Sequence, residues 1–272
     1  MKLARQPLVV AYGVGVDSTA LLVAMWLRGI RPDLILFSDT KGEKPETYAY
    51  LPVINAWLRS IGFPEVTIVT YEPKRAPYNS LEGKCLANET LPSLAFGGHS
   101  CSIVFKAGPQ HKFIKAWQPA QEAWAAGLKV VKAIGYDNGA QDCRRRAKAD
   151  RAVAKKEANG DADARHYHYV YPLQDWGIDR VECLRLIASA GLPLPMKSAC
   201  WFCPASKESE IVWLRDTHPT LFQRALAMEA RARDGKHGLG TTQGLGRSFA
   251  WSSLAVVNAN DVVDDAAEAL RP

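Results

Sequence analysis

An apolar run that ends in two closely spaced glycines constrains this chain more than any other feature. Residues 8–12 have the length and composition of a buried strand, and residues 16–22 have the apolar spacing of a helix. Gly13 and Gly15 lie between them, and glycine permits the positive φ angles and close backbone approach that a tight turn needs. Because the first N–H groups of a helix form an anion site, the expected ligand of this turn is a phosphate.

The residues of this turn exclude two common phosphate motifs. No Gly-Lys-Ser/Thr sequence closes it, so it is not a Walker A loop, and the third glycine of a dinucleotide fingerprint is missing. The turn instead resembles the Ser-Gly-Gly-x-Asp-Ser pyrophosphate loop of the N-type ATP pyrophosphatases, with Gly15, Asp17 and Ser18 in register. Gly13 and Val14 replace the serine and one glycine of that loop. The alternative is a plain turn in which Asp17 or Ser18 caps the helix without a ligand.

A second motif follows the next strand signal, residues 34–37. Residues 39–47 resemble the Asp-Thr-Gly-x-x-x-Pro-Glu-Thr motif of the phosphoadenosine-phosphosulfate reductase family, with Lys41 inserted before the glycine. Since open parallel sheets bind ligands outside the carboxyl ends of their strands, we expect Asp39 and Thr40 beside the first turn. The resemblance implies that they flank an adenine nucleotide. A strand-to-helix loop without a ligand is the alternative.

Two further segments follow in the order of the same family. Cys101, Lys106 and Pro109 resemble its Cys-Cys-x-x-x-Lys-x-x-Pro segment, in which Ser102 replaces the second cysteine. Residues 135–139 resemble its third nucleotide-side motif. The resemblance implies catalytic roles for Asp17 and Lys106. It also implies a set of nucleotide contacts: Gly13, Gly15, Asp17, Ser18, Thr19, Asp39, Thr40, Gly135 and Tyr136.

The strand signals and the resemblance together predict an α/β fold. We expect a five-stranded, mostly parallel sheet of the flavodoxin/Rossmann-like, adenine nucleotide alpha hydrolase-like class, with the flavodoxin-like strand order. Residues 1–175 are predicted to form the nucleotide-binding domain. Residues 176–272 are predicted to form a helical region packed on it as one unit. Its acidic end, residues 261–268, is predicted to be a solvated helix.

The cysteines of this chain are predicted to be thiols, metal ligands or catalytic groups. No charged-then-apolar leader opens the sequence, so we expect a cytoplasmic protein without membrane segments, in which disulfides are rare. Cys200 and Cys203 form a Cys-x-x-Cys that suits a redox dithiol, zinc or an iron–sulfur cluster. The resemblance implies a [4Fe–4S] cluster and supplies Cys101, and Cys85 is the nearest fourth candidate. Zinc at the same four thiols is the first alternative.

Residues 144–156 hold seven basic side chains and one acidic side chain, Asp150, in a chain of net charge +6. The interleaved alanines favour a helix, and such a run is often only a solvated helix face. A nucleic-acid contact or a loop that closes over the site is equally consistent with the pattern.

The resemblance implies that the chain uses ATP with Mg²⁺ to adenylate and thiolate a nucleic-acid or nucleotide acceptor, and leaves the sulfur donor open. A sulfonucleotide reductase is the runner-up, but that enzyme needs a nucleophilic cysteine on its tail, and no cysteine follows Cys203. The alternative outside enzymology is a nucleotide-binding regulator or a zinc-stapled adaptor.

Overall fold

The computed structural model describes residues 5–255, so the predicted acidic helix 261–268 lies outside the described residues. The five strands are β1 Leu8–Tyr12, β2 Leu34–Asp39, β3 Val66–Thr70, β4 Val130–Ile134 and β5 Tyr167–Val170. The helices are α1 Val16–Leu27, α2 Pro45–Ser60, α3 Leu81–Ala87, α4 Ser100–Ser102, α5 Gly108–Ala116, α6 Gln118–Ala125, α7 Ala140–Ala158, α8 Ala162–His166, α9 Pro172–Asp175, α10 Arg180–Ser189, α11 Glu208–Thr217 and α12 Pro219–Asp234. A π-helical turn, Ile103–Ala107, precedes α5.

The sheet confirms the predicted α/β class. Its order is β3-β2-β1-β4-β5, and all four neighbouring pairs are parallel. This is the Rossmann-type order, so the expected flavodoxin-like strand order was wrong, whereas the predicted five-stranded, mostly parallel sheet is confirmed. The long connection after β3 leads β4 to the far side of β1. Strand signals alone do not determine that path, because both orders use the same five strands.

Two helical layers cover the sheet. On one face, α1, α2 and α10 pack against inward side chains of the central strands, including Val10, Ile35 and Ala133. On the other face, Ile114 of α5 and Ala120 of α6 pack against a second set: Val9, Leu36 and Val130. Helix α1 is buried along nearly its whole length, which identifies it as the central helix of the core.

Contacts within the chain divide the described residues into two compact units. The sheet unit comprises residues 5–72 and 104–199, and the cysteine unit comprises residues 73–103 and 200–255. These bounds differ from the predicted boundary after residue 175. The reason is that α10 belongs to the core around α1, where Cys183 and Ile187 are fully buried. The predicted packing of the chain as one unit stays a prediction.

The cysteine unit is organised around α12, which packs against α3 and α11. Its Glu229 is fully buried and accepts backbone N–H groups from Leu245 and Trp251, each at 2.8 Å, and from Ser252 at 3.2 Å. One carboxylate therefore fixes the glycine-rich loop that follows α12. Within residues 5–255, no helix is both long enough and apolar enough to cross a lipid bilayer.

Candidate active site at the carboxyl ends of the strands

The ends of β1 and β4 meet at the start of α1. A Cβ added to Gly135 would lie 2.9 Å from the Cα of Ser18 and 3.0 Å from its backbone nitrogen. Real Cβ atoms do not approach backbone so closely, so only glycine fits here without a shift. The first and third predicted motifs are therefore in direct contact through backbone atoms.

Ser18 holds the turn between β1 and α1 in shape. Its hydroxyl accepts the N–H groups of Gly13 at 3.2 Å and Gly15 at 3.3 Å, and it donates to the Gly15 carbonyl at 3.2 Å. The capping role weighed from the sequence is thus performed by Ser18. Thr19 is fully buried, with its hydroxyl 3.1 Å from that of Tyr12. Thr19 therefore packs inside the sheet unit, and its predicted nucleotide contact stays a prediction.

Two side chains occupy backbone conformations that glycine normally takes. Val14 has a φ of 59° and Lys41 a φ of 57°, both in the left-handed region. Residues 39–47 also match the length of the resembled Asp-Thr-Gly-x-x-x-Pro-Glu-Thr motif, so Lys41 replaces its glycine rather than being inserted before it. Both motifs thus depart from the family pattern where the backbone needs a positive φ, and each departure stores strain beside the site.

Asp39 lies at the end of β2, as predicted, and its side chain is engaged locally. Its Oδ1 accepts the Lys41 N–H at 2.6 Å and the Tyr48 hydroxyl at 2.7 Å. Burial, followed by this hydrogen bond, raises the pKa of Tyr48 above its ordinary value, so Tyr48 stays a neutral donor. Thr40, the next residue in the chain, is buried. The two predicted contacts therefore differ in accessibility.

Asp17 is paired with a residue that sequence reasoning missed. Arg180, the first residue of α10, contacts its Oδ1 at 2.5 Å, and the Asp17 side chain is 27% exposed. Burial raises the pKa of Asp17, and the Arg180 guanidinium opposes that rise. No local pattern marks Arg180, because 163 residues separate the two partners.

The third motif forms a compact hydrogen-bonded loop. Asp137 accepts the Gly139 N–H at 2.8 Å, and Asp142 accepts the Asp137 N–H at 3.2 Å. Arg145 donates to Asp142 at 2.8 Å, and its guanidinium lies 4.4 Å from the ring centre of Tyr136. Arg145 thus links the ring of the predicted Tyr136 to Asp142, and the predicted Gly135 lies against Ser18 of the first turn.

A buried carboxylate, Glu43, joins two further segments to this edge. Its Oε1 accepts Lys106 Nζ at 3.1 Å, and its Oε2 accepts the Ser198 hydroxyl at 3.2 Å. A Cβ added to Gly15 would lie 3.7 Å from Cβ of Ser198, so Ser198 borders the first turn. The structure therefore brings the predicted Lys106 to the strand ends. Sequence reasoning missed Glu43 and Ser198, although Glu43 lies inside the second motif.

The four predicted cluster ligands, Cys85, Cys101, Cys200 and Cys203, all belong to the cysteine unit. Burial raises the pKa of the Cys85 thiol to about 12, and the neighbouring Cys101 adds to the rise. Arg224 connects their surroundings, since it bonds Glu82 of α3 at 2.5 and 3.0 Å and lies 4.9 Å from the Trp201 ring centre. None of the six cysteines, all within the described range, forms a disulfide.

The four thiols are donors that suit iron or zinc, but their side chains are not arranged around a common metal position. Four cysteines in one compact unit are the donors that both metals prefer. Within the described part of the chain, however, no three His, Cys, Asp or Glu side chains are placed to hold a metal ion. As the side chains stand, they do not form a cluster site, and the four-cysteine set stays a prediction.

The basic segment 144–156 is helical and lies in α7, Ala140–Ala158. Asp142 is the one buried residue of α7. Two of its arginines pair with neighbouring groups: Arg145 with Asp142, and Arg146 with Asp175 at 2.6 Å and with the Tyr171 ring centre at 5.0 Å. The helix is therefore anchored at its first two turns, and the rest of its length is exposed.

Comparisons with known proteins place few limits on this chain. No family model matches it, and no curated protein matches it. Among solved structures it is similar to the U34-tRNA thiolase NcsA from Methanococcus maripaludis, determined with its [4Fe-4S] cluster. The two share 14% sequence identity and a TM-score of 0.42, over 86% of this chain and 75% of that chain.

Proposed function

We propose that this chain is an ATP-dependent sulfurtransferase of the ATP-pyrophosphatase type, which adenylates an acceptor oxygen and then exchanges it for sulfur. One observation carries the proposal. Three segments that resemble motifs of a single nucleotide-binding family meet at the carboxyl ends of β1, β2 and β4. Open α/β sheets bind their ligands at that edge.

The turn between β1 and α1 is the proposed phosphate site. The first N–H groups of α1 and the positive end of its dipole favour an anion, and Lys106 adds a cation. Asp39, held by Tyr48, is the proposed contact on the nucleoside side. Asp17 would hold Mg²⁺. This ion is usually bound by one or two protein carboxylates together with the phosphates of ATP, and it neutralises part of the phosphate charge.

The proposed chemistry needs neither an oxidant nor a reductant. In the first step an acceptor oxygen attacks the α-phosphorus of ATP, the bridging P–O bond breaks, and its electron pair leaves with pyrophosphate. In the second step a sulfide-level sulfur atom attacks the acceptor carbon, the C–O bond breaks, and AMP leaves with that oxygen. The turn binds the departing pyrophosphate, and Lys106 offsets the charge that develops on it.

The exposed face of α7 supports a nucleic-acid acceptor. Four basic residues recur at spacings of four, three and four and therefore share one face of the helix: Arg144, Lys148, Arg151 and Lys155. We call this set the basic stripe. Such a row matches the regular phosphates of a nucleic-acid backbone. Arg145 and Arg146 are left out of this set because each already pairs with a carboxylate of the sheet unit, Asp142 and Asp175 respectively.

A titration tests the nucleotide site. We expect Gly15→Val to abolish ATP binding, because a side chain there would cover the N–H groups of the turn. The backbone at Gly15, with a φ of −109°, accepts any residue, so the fold should persist. Ala125→Val, at an exposed position of α6, is the matched control. Unchanged ATP affinity in Gly15→Val would remove this site.

Salt dependence tests the basic stripe. We expect the double variant Arg144→Ala with Arg151→Ala to reduce the slope of log affinity for tRNA or DNA against log salt by about one unit per lost phosphate contact. The control, Arg59→Ala with Arg185→Ala, removes the same charge from exposed positions elsewhere. Equal slopes in the two variants would show that α7 is a solvated helix that makes no contact with the nucleic acid.

A further inference from the structure

We infer that Glu43 is a positioning residue of the nucleotide site, whose buried carboxylate holds Lys106 in place for the phosphates and is itself fixed by Ser198. The inference rests on the proposed function of that site and deepens it. Neither the sequence motifs nor the comparisons assign a role to Glu43.

The burial and the two contacts of Glu43 carry the inference. Its side chain has 0% exposure, yet each carboxylate oxygen has a different partner: Lys106 Nζ at 3.1 Å and the Ser198 hydroxyl at 3.2 Å. These partners come from segments 63 and 155 residues away. A carboxylate removed from water is tolerated only when it is paired in this way. The pairing therefore ties three separate segments to one point.

Lys106 is fixed at both its backbone and its ammonium group. Its carbonyl accepts the hydroxyl of the buried Ser38 at 2.8 Å, next to the end of β2. Its side chain remains 41% exposed although Nζ contacts Glu43. One side of the ammonium group is thus held by the carboxylate, and the side chain remains accessible to a ligand. Lys106 also lies in the π-helical turn, a distortion that is frequent at functional sites.

Ser198 connects Glu43 to the turn between β1 and α1. A Cβ added to Gly15 would lie 3.7 Å from Cβ of Ser198, and the Ser198 hydroxyl bonds the second oxygen of Glu43. A cation fixed beside the turn before the nucleotide arrives loses little side-chain entropy on binding, and this raises its contribution to phosphate affinity. A lysine without Glu43 would have to be ordered by the nucleotide itself.

A double-mutant cycle on ATP affinity tests this coupling. We expect Glu43→Ala and Lys106→Ala each to weaken ATP binding about tenfold, the magnitude of one charge-assisted hydrogen bond. The double variant should be no weaker than Lys106→Ala alone, because Glu43 acts through Lys106. Glu43→Gln keeps an amide oxygen for Lys106 and should restore most of the affinity. Glu72→Ala, which breaks the exposed pair of Glu72 with Lys112, is the matched control and should bind ATP normally.

If the loss of ATP affinity in the double variant equals the product of the two single losses, the inference is overturned, because Glu43 then acts independently of Lys106. A Glu43→Gln variant as weak as Glu43→Ala would overturn it as well.

A second measurement does not depend on ATP. Loss of the ion pair with Glu43 should leave the Lys106 amine more available to react, so acetic anhydride should acetylate Lys106 faster in Glu43→Gln than in the wild type, as mapped by mass spectrometry. Equal acetylation rates would overturn the pairing itself. Wild-type protein that binds no ATP but shows the expected acetylation would instead refute the proposed function and leave the contact intact.

Discussion

The sheet unit and the cysteine unit hold their candidate functional groups in different ways. At the strand ends, Ser18 and Asp39 bond nearby backbone N–H groups, and Asp17 and Glu43 are paired with cations. In the cysteine unit, four thiols come from two segments far apart in the sequence. Within the described residues they do not form a group that could hold a metal.

The difference follows from what fixes each set of groups. Backbone N–H groups and short bonded side chains take their places from the sheet topology, so the arrangement of this candidate site does not need a ligand to form. Thiolates repel one another, and burial raises the pKa of Cys85 to about 12. Only a bound cation compensates both costs, so metal binding and the geometry of such a site are coupled.

The largest effect is expected when a thiol of the cysteine unit is removed. We expect anaerobically prepared wild-type protein to contain iron and sulfide, and Cys→Ala at Cys85, Cys101, Cys200 or Cys203 to lose both together with the visible absorption. Cys143→Ser should retain them, since that thiol is exposed in the sheet unit. Stoichiometric zinc without iron would eliminate the cluster. Full iron in Cys85→Ala would reassign the fourth ligand.

The metal-free protein should protect Cys85 from alkylation. A thiol with a pKa near 12 is about 0.01% thiolate near pH 8, whereas an ordinary thiol is roughly one quarter thiolate. We therefore expect Cys85 to react with iodoacetamide about a thousandfold more slowly than a model thiol. The rate should increase with pH up to about pH 12. Mass spectrometry of the alkylated peptides gives the rate, and a fast reaction near pH 8 would show that the thiol is not buried.

In the sheet unit, the contact between β4 and α1 predicts a loss of stability. Gly135→Ala places a methyl group 2.9 Å from the Cα of Ser18, and we expect it to lower the free energy of unfolding by about 1–3 kcal/mol. Gly15→Ala is the control, because its nearest neighbour lies at 3.7 Å and its change should stay within about 1 kcal/mol. Denaturant unfolding measures both. Equal stabilities would mean that the strand ends are not closely packed.

The smallest expected effect concerns strain at the strand ends. Lys41 is exposed and has a positive φ, so Lys41→Gly should raise the free energy of unfolding by up to about 1 kcal/mol. Lys41→Ala retains the strain and should not stabilise. Val14→Gly should not stabilise either, since it also removes a buried side chain. Equal unfolding midpoints for Lys41→Gly and Lys41→Ala would show that the loop relaxes in solution.

Local patterns were enough to predict several parts of the molecule. The apolar runs around Gly13 and Gly15 predicted β1, the turn and α1, because strand and helix periods and the conformational freedom of glycine are properties of short segments. The alanine-rich basic run predicted the helix of α7 for the same reason. The motif order, with Asp39 and Gly135 at strand ends, predicted the α/β class and the sheet edge at which these residues meet.

Tertiary structure alone decided the strand order and the partners of the charged groups. Arg180 meets Asp17 across 163 residues, and Ser198 meets Glu43 across 155. The two units are likewise assembled from interleaved segments, so no single boundary in the sequence separates them. Residue spacing determines which side chains share a helix or strand face. Which distant segments those faces meet depends on how β4 crosses to the far side of β1, and that path is determined by the packing of the whole sheet.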